Sequence, residues 1–403
     1  MSAELINNVI AQGHRLANHS WEYGTFAEAL LEWYNPQYSV FGADPFPNGK
    51  IPVLQVGDVQ SLAYAKPHIW TNQTTLVDGD GAAGDPASLG VSAILIGQTQ
   101  PAYLDAAGRQ VNHLLTAVPR WPNGAISHRE AVAELWADFL YMAPPALAYW
   151  AVQTANSTLL AEALGQCSLY RDVLGVPHVG GGGGSSNNSN GGSEDPFKAG
   201  GLWHHIIGPQ TQDLGIWSTG NAWAAAGMAR VLATALKFPN SNNHSKVETG
   251  INTVKGIVRD ILDAVIALDD AEPAEPLLRN YLNDTTWFGE LSGTTLLTAT
   301  VYRLAVLAPD EFNSGGNGTS STSSKYVKWA DAKRSEIISR VDSQGLLSPV
   351  INPLNWGDRT PGTESPEAQS FALLMFAAHR DYQEAGQKGK RKRVPRGPKN
   401  IRR

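Results

Sequence analysis

A chain of 403 residues, 42% hydrophobic, only 17% charged and carrying 12 Trp, has ample material for a large interior and suits a soluble enzyme with aromatic clefts. Its formal net charge is −6, but the stretch from Gln387 to Arg403 holds nine Lys or Arg and no acid, leaving the rest near −15, a balance that argues against nucleic acid as a partner. No apolar run approaches the ~20 residues of a membrane span, so no membrane partner is expected; the single cysteine, Cys167, rules out an intramolecular disulfide and a Cys-based metal site.

The opening MSAELINNVI lacks the basic and apolar regions of a signal peptide. Helical periodicity covers Ala3 to Ala17 and Gly24 to Tyr34. Asn35 to Gly84, rich in Pro, Gly and Asp, shows little periodicity and is too long for an ordinary loop; it is expected to contain a short helix and to decorate an active site. From Asp85 the helices resume with PASLGVSAILIGQ and PAYLDAAGRQVNHLLTAV, Pro101 sitting at a first helical position. Trp136 to Trp150 follows, kinked or interrupted by Pro144 and Pro145, then Ser157 to Val173, in which Cys167 reads as a small buried apolar residue.

The glycine-rich run Gly180–Gly192 reads as a long surface loop, because the same helix-hairpin pattern continues on both sides of it. Beyond it Thr219 to Phe238 pairs with Lys246 to Leu268, and Gly289 to Leu307 with Ser323 to Val341. Glu364 to Ala385 is the last helix, which makes residues 1–385 one domain. Residues 386–403 read as a basic, solvated and disordered tail. Asn18, Asn72, Asn156, Asn187, Asn243, Asn283 and Asn317 each open an Asn-x-Ser/Thr triplet. That number favours a secretory route and an extracellular location, any signal peptide having been removed or replaced.

Six helices share a style. YGTFAEALLEW, GDPASLGVSAIL, ADFLYMAPPALAYW, TGNAWAAAGMARVL, GELSGTTLLTATVYRL and SPEAQSFALLMFAAH open on small or polar residues and continue apolar nearly all round, so each is buried on every face. They alternate with five amphipathic helices, the sixth falling within Asn35 to Gly84. The pattern is all-α, an (α/α)6 barrel of helical hairpins with an inner and an outer ring.

In such a barrel the inner helices begin at one end, and residues at their starts line its mouth. These are Asp85, Trp136 and Asp138, then Trp203, His204, His205, Trp217, Thr219 and Asn221. Two carboxylates with His and Trp around them meet the minimum for acid/base work on a glycosidic substrate. Asp138, set among apolar residues, is in the kind of surroundings that suit a proton donor. The plainer alternatives are a helix-start cap for Asp138 and a turn residue before Pro86 for Asp85. His204 and His205 are adjacent, so their side chains diverge, and without an HExxH or similar pair no metal site is expected. Phosphate-cradling and GxSxG signatures are absent as well.

WADFLYMAPPALAYWA, GLWHH…IWSTGNAWAAAGMARVL, SPEAQSFALLMFAAHRDY and DPASLGVSAIL together resemble the six-hairpin glycosidases, specifically the unsaturated glucuronyl and rhamnogalacturonyl hydrolases of glycoside hydrolase families 88 and 105, over Asp85 to Asp381. The resemblance implies a barrel without a cofactor and an oligosaccharide substrate. It also implies a reaction that protonates the C4=C5 double bond of a terminal unsaturated uronic acid, adds water at C5 and opens the resulting hemiketal. Asp138 would then be general acid and base, Asp85 the assisting carboxylate, His204 or His205 a ring-hydroxyl contact, and Trp217 and Trp223 stacking walls. One departure stands out. Where the family commonly places an Arg for the uronate carboxylate, this chain has Thr219, which offers one neutral hydrogen bond in place of a charged bidentate grip. Either Arg129 or His128 supplies the cation, or the substrate is not an unsaturated uronide, leaving another glycosidase or lyase on the same barrel, or a non-catalytic carbohydrate-binding protein, as alternatives.

Overall fold

The computed structural model describes residues 2–177, 200–238, 245–314 and 324–393, the last six of these as backbone only. Fourteen α-helices occur among them: α1 (Ala3–Leu16), α2 (Ser20–Tyr34), α3 (Gln60–Ala65), α4 (Gly90–Gly97), α5 (Pro101–Thr116), α6 (Phe139–Met142), α7 (Pro144–Gln153), α8 (Ser157–Leu174), α9 (Ser218–Lys237), α10 (Ser245–Ala271), α11 (Leu291–Leu307), α12 (Pro309–Phe312), α13 (Lys325–Ser339) and α14 (Pro366–Arg393). Their ends follow local chemistry. Side chains of Ser2, Asn156 and Ser324 cap α1, α8 and α13 by accepting backbone N–H groups, and proline opens α5, α7 and α14 where its missing N–H has no helical partner to lose.

The inner ring runs α2, then α4 with the 3-10 turn Asp85–Leu89, the α6/α7 pair, α9, α11 and α14, which closes back on α2. Every residue of α9 from Ser218 to Ala235 is buried, as its all-round apolar sequence requires. The outer helices α1, α3, α5, α8, α10 and α13 bury one face each, α10 through Val254, Ile257, Val258, Ile261 and Val265. Six outer–inner hairpins make this an (α/α)6 barrel. The sixth outer helix is α3, inside the weakly periodic segment; it packs on α2 and α4.

Three boundaries differ from the sequence reading. Leu135–Trp136 is a short strand, β1, paired antiparallel with β2 (Ile206–Ile207), and the helix begins only at Phe139. It breaks again at Ala143, because Pro144 cannot donate to the preceding turn. At the far end α14 continues past Ala385 to Arg393; its Gln, Lys and Arg are good helix formers and basic groups favour a helix C-terminus. Residues 394–403, the glycine-rich run Gly180–Gly192 and the triplets at Asn187, Asn243 and Asn317 lie outside the described residues. Asn18, Asn72, Asn156 and Asn283 are exposed. Cys167 is fully buried, and burial pushes its thiol up to about 12, consistent with an apolar role.

Candidate active site

The N-terminal ends of the inner helices converge on a cavity of about 150 Å³. The β1–β2 ribbon assembles one wall: Ala137 N–H donates to the His205 carbonyl at 3.0 Å, which sets Asp138, at the start of α6, beside the His205 ring. His205 Nε2 stands 3.5 Å from Asp138 Oδ2. Asp138 Oδ1 is buried with no hydrogen-bond partner, and although the residue occupies the cap position of α6 its side chain makes no capping bond. Asp85 is the first residue of the 3-10 turn, just after the cap position, and is buried. Both carboxyls line the cavity.

Electrostatics separate the two acids from their histidines. Burial, reinforced by the charge of Asp138 and opposed by Arg129, pushes the Asp85 carboxyl up to about 8, so Asp85 holds a proton at neutral pH. His128, 3.7 Å from Asp85, is pushed down to about 3 by burial and by the charges of Arg129 and His205; it is a neutral ring. His205 goes the other way. Burial works against its charge, but Asp138 and Asp213 on its two nitrogens outweigh that and raise it.

Aromatic rings frame these groups. Trp136 stacks on His128 with centroids 4.8 Å apart and meets His205 and Trp356 edge-on. Its indole N–H is fixed by the buried Glu134 at 2.7 Å, whose other oxygen accepts the backbone N–H of Gln210 and Thr211 at 2.8 and 2.6 Å. Trp217 packs against the His205 ring at 4.4 Å, and Trp223 lies further along α9 on the cavity wall. Arg129 faces the same space over Trp136, its guanidinium making no ion pair among the described residues.

Of the residues singled out by sequence, Asp85, Asp138, Trp136, His205, Trp217 and Trp223 meet at this cavity. His204, Thr219 and Asn221 do not line it. His204 pairs through Nδ1 with the Leu214 carbonyl at 2.6 Å, diverging from His205 as adjacent residues must. Thr219 is fully buried and donates to Glu290 at 3.3 Å. Asn221 is spent on backbone, accepting from Trp203 N–H at 2.9 Å and donating to the carbonyls of Trp203 and Trp217; Trp203 itself is core. The first turn of α9 points these side chains at neighbouring chain, so starting an inner helix is not sufficient for reaching the mouth.

The sequence reading passed over Trp21, Glu367, Asp80 and Trp356, all of which line the cavity. The first two sit at the starts of α2 and α14, where the rule used for the other inner helices would have found them. Glu367 accepts from Trp21 Nε1 at 3.0 Å, and burial, with the charge of Asp138 adding, holds its carboxyl well above the usual carboxylate range. Trp356 comes from the irregular connection before α14, which has no period to betray it. No group of three or more potential metal ligands occurs among the described residues.

A closed ring of six helical hairpins with a tryptophan-lined acid pair at its mouth defines a six-hairpin glycosidase. The sequence pattern of Glycosyl Hydrolase Family 88 matches residues 6–301, well over half of the chain, and the chain belongs to that family; it is a glycoside hydrolase. Among curated proteins no sequence match was found. Solved structures share the fold at low identity. A possible member of glycoside hydrolase family 105 from Salmonella enterica serovar Paratyphi A is similar at TM-score 0.66 and 16% identity, over 94% of this chain and 93% of that one. A family 88 glycosyl hydrolase from Bacteroides vulgatus gives 0.59 and 14%, over 94% and 98%. The unsaturated glucuronyl hydrolase responsible for glycosaminoglycan degradation in a Bacillus species gives 0.57 and 11%, over 95% and 98%.

Proposed function

We propose that this enzyme removes a terminal unsaturated uronic acid from oligosaccharide fragments by protonating and hydrating its C4=C5 bond. The observation that carries the reading is the meeting of Asp85 and Asp138 in one aromatic cavity with Arg129, whose guanidinium makes no ion pair among the described residues. Arg129 takes the part of the arginine that Thr219 replaces and pairs with the C6 carboxylate; His128, held neutral, cannot. The tryptophan faces stack on the sugar ring.

Asp138 is the acid in contact with the substrate, and Asp85, protonated at neutral pH, stands beside it as the assisting carboxyl. Asp138 gives its proton to C4, and the positive charge that develops at C5 and the ring oxygen is met by water. Asp138 accepts the water's proton as the C5–O bond forms. The C5 hemiketal opens by breaking its bond to the ring oxygen, and the hemiacetal left at C1 expels the remaining sugar. The anomeric carbon is never attacked, so no second nucleophile is required.

Incubation with lyase-generated oligosaccharides tests this directly: turnover abolishes the ultraviolet absorbance of the conjugated double bond. Asp138→Asn should abolish that loss while helical content stays intact; surviving activity would overturn the assignment. A second reading, a glycosidase or lyase for a non-uronate substrate on the same barrel, is favoured by the burial of Thr219 against Glu290, and it predicts release of reducing sugar with the chromophore untouched. The exposed Asn18, Asn72, Asn156 and Asn283 triplets support secretion and N-glycosylation, which a mass shift on enzymatic deglycosylation of the natively expressed protein would reveal.

A further inference from the structure

Behind His205 the chain builds a second layer that touches no part of the cavity. His205 Nδ1 and Asp213 Oδ2 are 2.9 Å apart, and the same Asp213 oxygen accepts a hydrogen bond from the Tyr281 hydroxyl. The other Asp213 oxygen accepts the Gly215 backbone N–H at 2.9 Å. Backbone bonds tie this unit together, between Ile206 and Asp213 in both directions and from His205 N–H to the Gly215 carbonyl. Gly215 is required for it: a Cβ there would stand 2.2 Å from the Tyr281 ring and 3.0 Å from Asp213 Oδ1. The His205 ring is boxed by Trp217, Trp136 and Trp356, and its Nε2 is buried with no hydrogen-bond partner, 3.5 Å short of Asp138 Oδ2.

We propose that Tyr281 and Asp213 are positioning residues that act through His205: they fix its tautomer and aim its Nε2 at one oxygen of Asp138, leaving the other, Oδ1, free for the reacting atoms. With Nδ1–H committed to Asp213, Nε2 either accepts or, when protonated, donates towards Asp138, so one ring serves both states of the acid. The tryptophan walls hold the plane of the ring, and Asp213 decides which nitrogen faces Asp138. A His205 without Asp213 could turn over or exchange tautomers, and Asp138 would lose its fixed neighbour. Tyr281 in turn removes the remaining freedom of the Asp213 carboxylate. The charged and titratable groups around His205 are Asp138 from the start of α6, Asp213 from the loop after β2 with Tyr281 bound to it, and His128 across Trp136, over which Arg129 also lies; Trp217 and Trp356 add none.

The proposal rests on Asp138 being the catalytic acid, and two measurements separate its failure from that of the proposed reaction. The first needs no substrate. In the intact enzyme with ¹⁵N-labelled imidazoles, the His205 signal, identified by its disappearance in His205→Asn, should titrate above an ordinary histidine in the wild type and at lower pH in Asp213→Asn. The second is kinetic: Asp213→Asn should lower kcat on the order of 10- to 100-fold with KM little changed and the alkaline limb of the pH profile displaced downwards, Tyr281→Phe should act in the same direction but less, and in His205→Asn the Asp213 change should add nothing. Equal effects of Asp213→Asn with and without His205, or an unmoved His205 titration, would overturn the proposal. A shifted titration in an enzyme that leaves unsaturated uronides intact would keep the relay and discard the substrate.

Discussion

Asp85 and His128 face each other across 3.7 Å and pull the stability of the enzyme in opposite directions with pH. The folded chain keeps a proton on Asp85 until about pH 8, against an ordinary value of 3.8. Between those two values the native state binds a proton the unfolded chain has released, so this contribution is complete below the lower value and is lost as pH rises through the upper one. His128, buried neutral with its value near 3 instead of 6.5, is lost the other way, as pH falls from its ordinary value towards 3. Replacing Asp85 with Asn removes the first of these effects. The variant should therefore melt close to the wild type near pH 4 and progressively above it as pH approaches about 8, while turnover falls at every pH; parallel melting curves across the range would show that Asp85 is not a buried proton holder. The two acids were legible in the sequence because both stand where an apolar inner helix begins. Their division of labour was not, since it depends on the burial of Asp85 and on the charge of Asp138 beside it, which no local pattern encodes. For Thr219 and Asn221 the same positional logic misled, because the direction of a helix's first turn is set by what packs on it.

At the scale of elements, the joint between α9 and α11 explains where Thr219 went. Glu290 caps α11, accepting the N–H groups of Ser292 and Gly293 at 2.5 and 2.7 Å, and it also accepts the hydroxyls of Ser218 and Thr219 from the first turn of α9. Gly293 lets the two helix starts approach: a Cβ there would lie 2.6 Å from the Ser218 hydroxyl. One buried carboxylate thus satisfies donors on two neighbouring inner helices. Glu290→Ala would strand four of them and should destabilise the enzyme by at least about 2 kcal/mol in chemical denaturation, whereas Glu290→Gln, which keeps an accepting oxygen, should cost less. Equal losses for the two variants would mean that side-chain volume, not hydrogen bonding, holds the joint. Helix existence and alternation could be read from the sequence, since an all-round apolar segment has few other fates. The strand at Leu135–Trp136 could not, because its partner Ile206–Ile207 is remote and two residues carry no period.

The whole barrel is closed by charge at the end away from the cavity. Glu28 and Glu32 on α2, Arg230 on α9, Arg303 on α11 and Asp381 on α14 form one network: Arg230 reaches Glu28 at 2.8 Å and also Glu32, while Arg303 reaches Glu32 at 2.6 Å and Asp381 at 2.5 Å. Phe41 lies under both guanidiniums and Tyr141 under that of Arg230. The two arginines and the two glutamates are buried, so the attraction is offset by desolvation, and such a network is better at selecting one arrangement than at stabilising it. Here the arrangement selected is the closure of the first inner helix onto the later ones, which no sequence period encodes: Glu28 and Arg230 are 202 residues apart. Removing a single member should therefore be worse than removing the set. Glu32→Gln, which deprives both arginines of a shared anion, should lower unfolding free energy by about 3–5 kcal/mol, with KM unchanged at temperatures where the variant remains folded, since the cavity lies at the other end. Replacing Glu28, Glu32, Arg230 and Arg303 together with apolar residues of similar volume should recover most of that loss. Should the fourfold variant be as unstable as Glu32→Gln, the network would be a net source of stability, and closure of the ring would depend on charge for its strength as well as its register.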